Sequence, residues 1–129
     1  MKNKIAAVTK FHTAFKLNMN QKPIADIGKD RNMLRFNLMK EENEEYLEAA
    51  QNNDLVEVAD ALGDMLYILC GTIIEHGMQD KIEAVFNEIQ RSNMSKLGED
   101  GNPIYREDGK VLKGPNYFKP NIAEILKNY

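Results

Sequence analysis

The chain has 129 residues, 43% hydrophobic and 29% charged, with a formal net charge of -3. That size suits one domain with a real core, and the mild negative balance argues against non-specific nucleic-acid binding. The single Cys70 rules out an intrachain disulfide, the N-terminus lacks the apolar run of a signal peptide, and the longest apolar stretch is broken by Asp64, so a cytoplasmic protein with no membrane partner is expected.

Ile5, Val8, Phe11 and Phe15, with His12, repeat at helical spacing and predict a first helix over about residues 3–18, with Phe11 and Phe15 read as core. Asn18 to Gly28, with Pro23, reads as a loop, and a long helix follows over about 30–52. Asp54 is the next N-cap, with Glu57 in capping-box position, and that helix stops at His76-Gly77 with glycine at C′. Asp80 and Glu83 repeat the capping pattern ahead of a fourth helix, with Ile82, Val85, Phe86 and Ile89 as its core face and an end near Leu97-Gly98. Glycines at 98, 101, 109 and 114 and prolines at 103 and 115 then change the character of the chain. Pro103–Arg106 and Lys110–Lys113 flank Glu107-Asp108-Gly109 and predict a short hairpin. Asn121, with Glu124, caps a short last helix. The fold class is all-α: a four- to five-helix single domain, its helical core over about 3–97 and a basic hairpin tail over about 98–120.

The chemistry concentrates on the second and third helices. At about 100° per residue, Leu34, Leu38, Glu41, Glu42, Glu45 and Ala49 fall within one third of a turn, so three glutamates continue an apolar stripe. Glu57, Asp60 and Asp64 share a face of the next helix by their i, i+3 and i+4 spacing. Asp64 is the only charge between Ala61 and Ile74, in a helix whose apolar character predicts burial all round. It must be ion-paired, protonated or bound to metal. If the two faces meet, several carboxylates converge without a neighbouring cation, an oxygen-only setting that suits Mg²⁺, with Mn²⁺ as substitute. The plainer reading is a solvated acidic face for Glu44, Glu48 and Glu57, and Glu57 has the capping box as a competing role.

The tail carries Arg91, Lys96, Arg106, Lys110, Lys113 and Lys119, suited to phosphate oxygens or simply solvated. His12 and His76 form no catalytic pattern, and no P-loop, Ser/His/Asp set or metal-type Cys/His spacing is present.

Glu41-Glu42-x-x-Glu45, then Leu62-Gly63-Asp64-Met65-Leu66-Tyr67, then Arg91–Leu97 and Asp108–Tyr117 together resemble the all-α nucleotide pyrophosphohydrolase superfamily. The branch is the phosphoribosyl-ATP pyrophosphohydrolase-like or MazG-like one, related to the dimeric dUTPases, and the resemblance spans roughly residues 8–122. It implies Glu42, Glu45 and Asp64 as magnesium ligands, with Glu41 or Glu45 orienting or deprotonating water. The sequence departs from the ExxD pattern at Ala61, whereas Glu57-x-x-Asp60 satisfies it one turn earlier. Asp60 with Asp64 is therefore the favoured ligand pair, with Glu57 as the further member.

The resemblance implies cleavage of an NTP or dNTP, dUTP-like, to the monophosphate and pyrophosphate in a homodimer or homotetramer. Lys96, Lys110 and Lys113 would hold phosphates, Asn93 and Tyr117 the nucleotide, and Phe15 with Asn18 the base. Two other readings stand beside it: phosphoribosyl-ATP as substrate in histidine synthesis, and a non-catalytic helical oligomer that binds metal or nucleotide.

Overall fold

Each helix stops where the backbone can close its last carbonyls. The computed structural model describes residues 1–127, with five helices among them: α1 (Lys2–Ala14), α2 (Lys29–Gln51), α3 (Leu55–Glu75), α4 (Ile82–Met94) and α5 (Ile122–Leu126). Lys16, Asn53 and Gly77 follow α1, α2 and α3 with φ of 55°, 54° and 68°. Each sits in a Schellman closure: Leu17 N donates to His12 O, Asp54 N to Ala49 O and Met78 N to Ile73 O, at 2.8, 2.9 and 2.9 Å. Gly77 announced its stop in the sequence, but Lys16 did not, because a lysine seldom takes the left-handed conformation. The first helix therefore ends at Ala14 rather than near residue 18.

The chain divides into two compact units, Met1–Asp80 and the residues from Lys81 on. In the first, α3 packs against both α1 and α2. The buried face of α2 runs through Arg35 and Ala49 with Glu42 half-buried between them, a seven-residue spacing, while Leu34 stays exposed. That face is chosen by what α3 offers Arg35. Its guanidinium donates to Ile68 O at 2.6 Å and Thr72 Oγ1 at 3.0 Å, and lies 3.2 Å from the Glu75 carboxylate. Arg31 completes the cluster with bonds of 2.9 and 2.7 Å to the two oxygens of Glu75, which is fully buried. Desolvation lowers the Arg35 pKa, opposed by Glu75.

Gly71 lies where α1 and α2 both come against α3. A Cβ there would stand 2.6 Å from the Arg35 guanidinium and 2.9 Å from Nε2 of the buried His12. Because Arg35 is held by three partners, it has nowhere to swing. Gly71→Ala is expected to destabilise the protein by about 1–3 kcal/mol, as overpacking does. Urea unfolding checks this, and an unchanged midpoint would show that the two side chains yield.

Two burial expectations are corrected. Phe11 and Phe15 are 39% and 64% exposed, so on α1 only Ile5, Val8 and His12 are buried. The third helix is not buried all round: Leu55, Val56, Leu62 and Leu69 are exposed in the single chain. Cys70 is buried as expected, and burial raises its thiol pKa.

In the second unit the first helical bond of α4 runs from Val85 N to Lys81 O, so Lys81 rather than Asp80 occupies the N-cap position, without a side-chain bond. The helix ends at Met94, short of Leu97, and Phe86 and Ile89 on its predicted core face are exposed. The expected hairpin is present only as one antiparallel bridge, Tyr105 to Val111, closed by the Arg106–Asp108 ion pair around Gly109. An isolated two-stranded ribbon has little to hold it. Asn121 caps α5 as predicted, accepting from Glu124 N at 3.3 Å. Among the described residues no helix is long and apolar enough to cross a membrane.

Candidate functional site

The face of α2 that carries Arg35 inward also carries Glu42 inward, two turns later. Glu42 Oε2 is buried and has no hydrogen-bond partner. Its carboxyl is pushed up to about 7, first by desolvation, then by its hydrogen bond to Glu45 and by the charges of Glu45, Asp64 and Asp60. α3 supplies Asp60 and Asp64 on either side of Ala61, which is 2% exposed. Ala61, where the sequence departs from the expected ExxD pattern, is thus a buried alanine facing no solvent.

A cleft of about 270 Å³ is lined by Glu45, Glu48, Ala49, Asn52, Asp54, Glu57 and Asp60, with Glu42 and Asp64 outside its lining. Only one half of the Asp54–Glu57 capping box forms. The Glu57 amide donates to Asp54 Oδ1 at 3.2 Å, but the Asp54 amide is bonded to Ala49 O, which leaves the Glu57 carboxylate to the cleft. Glu48, read from sequence as a solvated edge, lines the cleft too, and Asn52 and Asp54 join it. Asn52 follows Glu48 by one helical turn, a signal that would have found it, whereas Asp54 lies beyond the end of α2 and enters as the cap of α3. Glu41 is exposed, outside this lining and outside the charges acting on Glu42. Glu44 makes a long surface pair with Lys40.

Among the described residues no Lys or Arg pairs with Glu42, Glu45, Glu57, Asp60 or Asp64. Nor do three Asp, Glu, His or Cys side chains already converge as metal ligands. The donor set nonetheless fits a hard divalent cation: it is all oxygen, it lacks a counter-charge, and one buried oxygen is orphaned.

A carboxyl held above its ordinary range keeps its proton in the folded chain where the unfolded chain has lost it. Folding then takes up a proton between the ordinary value of 4.5 and about 7, and stability falls as pH rises through that window. The melting temperature of the protein in EDTA is expected to drop from pH 5 to pH 8, less so for Glu42→Gln. Equal slopes for the two proteins would contradict this.

In the second unit, Gly114 N donates to Lys96 O at 2.8 Å, which folds the loop bearing Lys113 onto the end of α4. Lys113 Nζ lies 4.7 Å from the centre of the Tyr117 ring. Lys110 stands apart in the exposed 106–110 turn, its amide bonded to Asp108 at 3.1 Å. Asn93 is exposed, and its carbonyl accepts from Lys96 N. In the first unit Phe15 stacks 4.5 Å from Phe11, which meets Tyr67 edge-on at 5.7 Å. Tyr67 was missed as a member of this aromatic group, though it follows Asp64 by a single turn.

The profile of the phosphoribosyl-ATP pyrophosphohydrolase family (PRA-PH) matches residues 8–93, a span that holds both acidic segments and stops before the basic tail. A solved structure of a presumptive NTP pyrophosphohydrolase from Exiguobacterium sp. 255-15 is similar, with a TM-score of 0.53 and 25% identity. The alignment covers 97% of this chain and 94% of that one. No curated protein sequence matches the chain.

Proposed function

Because the chain belongs to the phosphoribosyl-ATP pyrophosphohydrolase family by its match over residues 8–93, we propose that it is a Mg²⁺-dependent nucleoside triphosphate pyrophosphohydrolase. The substrate is an NTP or dNTP, dUTP-like, and the products are the monophosphate and pyrophosphate. The observation that carries this reading is Glu42, a carboxyl with an orphaned buried oxygen, beside three more carboxylates and no cation.

Glu42, Glu45, Asp60 and Asp64 would hold the metal, with Glu57 at the outer edge. Magnesium, or manganese in its place, would offset polyphosphate charge and acidify water. Glu45, at the cleft wall, orients a water and takes its proton; Glu41, one turn back and outside the cleft lining, is the other candidate. The water oxygen bonds to the α-phosphorus, the α–β bridging bond breaks, and pyrophosphate leaves with the electron pair. Lys96, Lys110 and Lys113 are assigned to phosphate oxygens, Asn93 and Tyr117 to the nucleotide, and Phe15, on its aromatic neighbours, to the base.

The large apolar side chains exposed on α3, with Leu55 80% and Val56 75% exposed, support a second copy covering that face, as a homodimer or homotetramer. A second reading, phosphoribosyl-ATP as substrate, is favoured by the description of the family itself. The test is pyrophosphate release from ribo- and deoxyribonucleoside triphosphates and from phosphoribosyl-ATP, each with Mg²⁺. Turnover of a triphosphate but not of phosphoribosyl-ATP is the expected outcome, and the reverse would replace the first reading with the second.

A further inference from the structure

Two serines near the end of α4 hold a single residue of the tail by both its backbone groups. Ser92 is 2% exposed, and its hydroxyl donates to the Phe118 carbonyl at 2.8 Å. Ser95 Oγ accepts from the Phe118 amide at 3.1 Å while donating to Ser92 O at 2.5 Å. Arg91 covers the Phe118 ring at 4.2 Å from its centre and is itself fixed by Glu88 at 2.7 and 3.1 Å. Four residues upstream, Gly114 N bonds Lys96 O, and a Cβ at 114 would overlap the Leu97 carbonyl. The 114–118 segment is thus closed at both ends onto the stretch from Ser92 to Leu97.

What this closure brings together is cationic. Lys113 precedes the clamped segment, its ammonium over the ring of Tyr117 within it, and Lys96 sits at the backbone bond that closes it. Among the described residues neither Lys96 nor Lys113 pairs with a carboxylate. The backbone bond from Gly114 to Lys96 puts the two lysines on adjoining segments.

We propose that Ser92 and Ser95 are positioning residues, whose clamp on Phe118 keeps Lys96 and Lys113, the latter beside the Tyr117 ring, as one preformed grip for polyphosphate oxygens. This rests on the assignment of those two lysines to the substrate's phosphates. Preformation matters because a grip that must be ordered on binding loses affinity to the ordering.

The test is calorimetric titration of the full chain with tripolyphosphate in EDTA, where the acidic cleft can only repel the probe. Lys96→Ala and Lys113→Ala are each expected to weaken binding about tenfold, the scale of one charge-assisted hydrogen bond. Ser95→Ala, alone and with Ser92→Ala, is expected to weaken it about three- to tenfold while the melting temperature moves little, and Ser95→Thr to restore it. If the lysine variants lose affinity but the serine variants keep it, the clamp is only structural and the phosphate assignment stands. Ser95→Thr behaving like Ser95→Ala would also overturn the clamp. If the parent does not bind, or the lysine variants bind as the parent does, the phosphate assignment falls and the clamp with it.

Discussion

Asp64→Ala is expected to cut turnover severely and, at the same time, to make the metal-free protein more stable. Asp64 is half-buried on α3, beside a Glu42 carboxyl already raised by desolvation, by Glu45 and by Asp64 itself. Removing one carboxylate takes a repulsive charge away from Glu42, which then ionises closer to its ordinary range. The folded chain in EDTA at pH 8 should therefore melt higher than the parent. For catalysis the same deletion removes a charge that would hold the metal. A loss in kcat/KM of about a thousandfold, ~4 kcal/mol of transition-state stabilisation, is expected. Asp64→Asn, which keeps the shape and drops the charge, should follow it in both respects. The pair of readouts matters because opposite movements mark a site kept under electrostatic strain for function. If the variant lost activity and also melted lower, Asp64 would be a structural residue instead.

Glu75→Ala is expected to cost about 3–5 kcal/mol of stability, because it strands a buried arginine without its counter-charge. Glu75 is fully buried, receives both Arg31 and Arg35, and accepts a further bond from Asn20 at its backbone carbonyl at 2.6 Å. With the carboxylate gone, Arg35 keeps Ile68 O and Thr72 but loses the only charge that offsets its desolvation. Glu75→Gln preserves the shape and should suffer nearly as much. The exposed pairs Lys127–Glu124 and Lys40–Glu44 set the scale, since deleting either should cost no more than about 1 kcal/mol. Domains of this size are stable by only about 5–15 kcal/mol, so Glu75→Ala would unfold at mild urea concentrations. Activity should fall with it, since Arg35 and Glu42 lie on one face of α2 and lose their common register. A cost below about 1 kcal/mol would mean that apolar contacts alone hold α2 against α3.

Much of this arrangement was legible in the residues. The caps at Asp54 and Asn121 and the stop at Gly77 are local chemistry, and each sits where it was expected. Of the helical stripe only Glu42 and Ala49 turn inward as expected together with half-buried Leu38, while Leu34, Glu41 and Glu45 are exposed; the i, i+4 spacing placed both Asp60 and Asp64 near Glu42. What was not legible depended on distant partners. The Arg31–Glu75 bond joins residues 44 apart, and nothing near Glu75 marks it as more than the end of a helix. Helical periodicity picked out Phe11, Phe15 and Phe86 as apolar but could not say whether the rest of this chain covers them. Lys16 closes α1 in a conformation that its side chain gives no reason to expect. The turn at Glu107-Asp108-Gly109 was readable, whereas strands need partners that the turn does not supply.

The most direct measurement is phosphorus NMR of a nucleoside triphosphate panel incubated with the protein and Mg²⁺, beside the same panel in EDTA and with Glu45→Ala. The expected result is equal amounts of monophosphate and pyrophosphate from at least one nucleotide, formed only with the divalent cation and lost in the variant. Diphosphate with inorganic phosphate, or turnover that persists in EDTA or in Glu45→Ala, would contradict a carboxylate-held metal acting at the α-phosphorus.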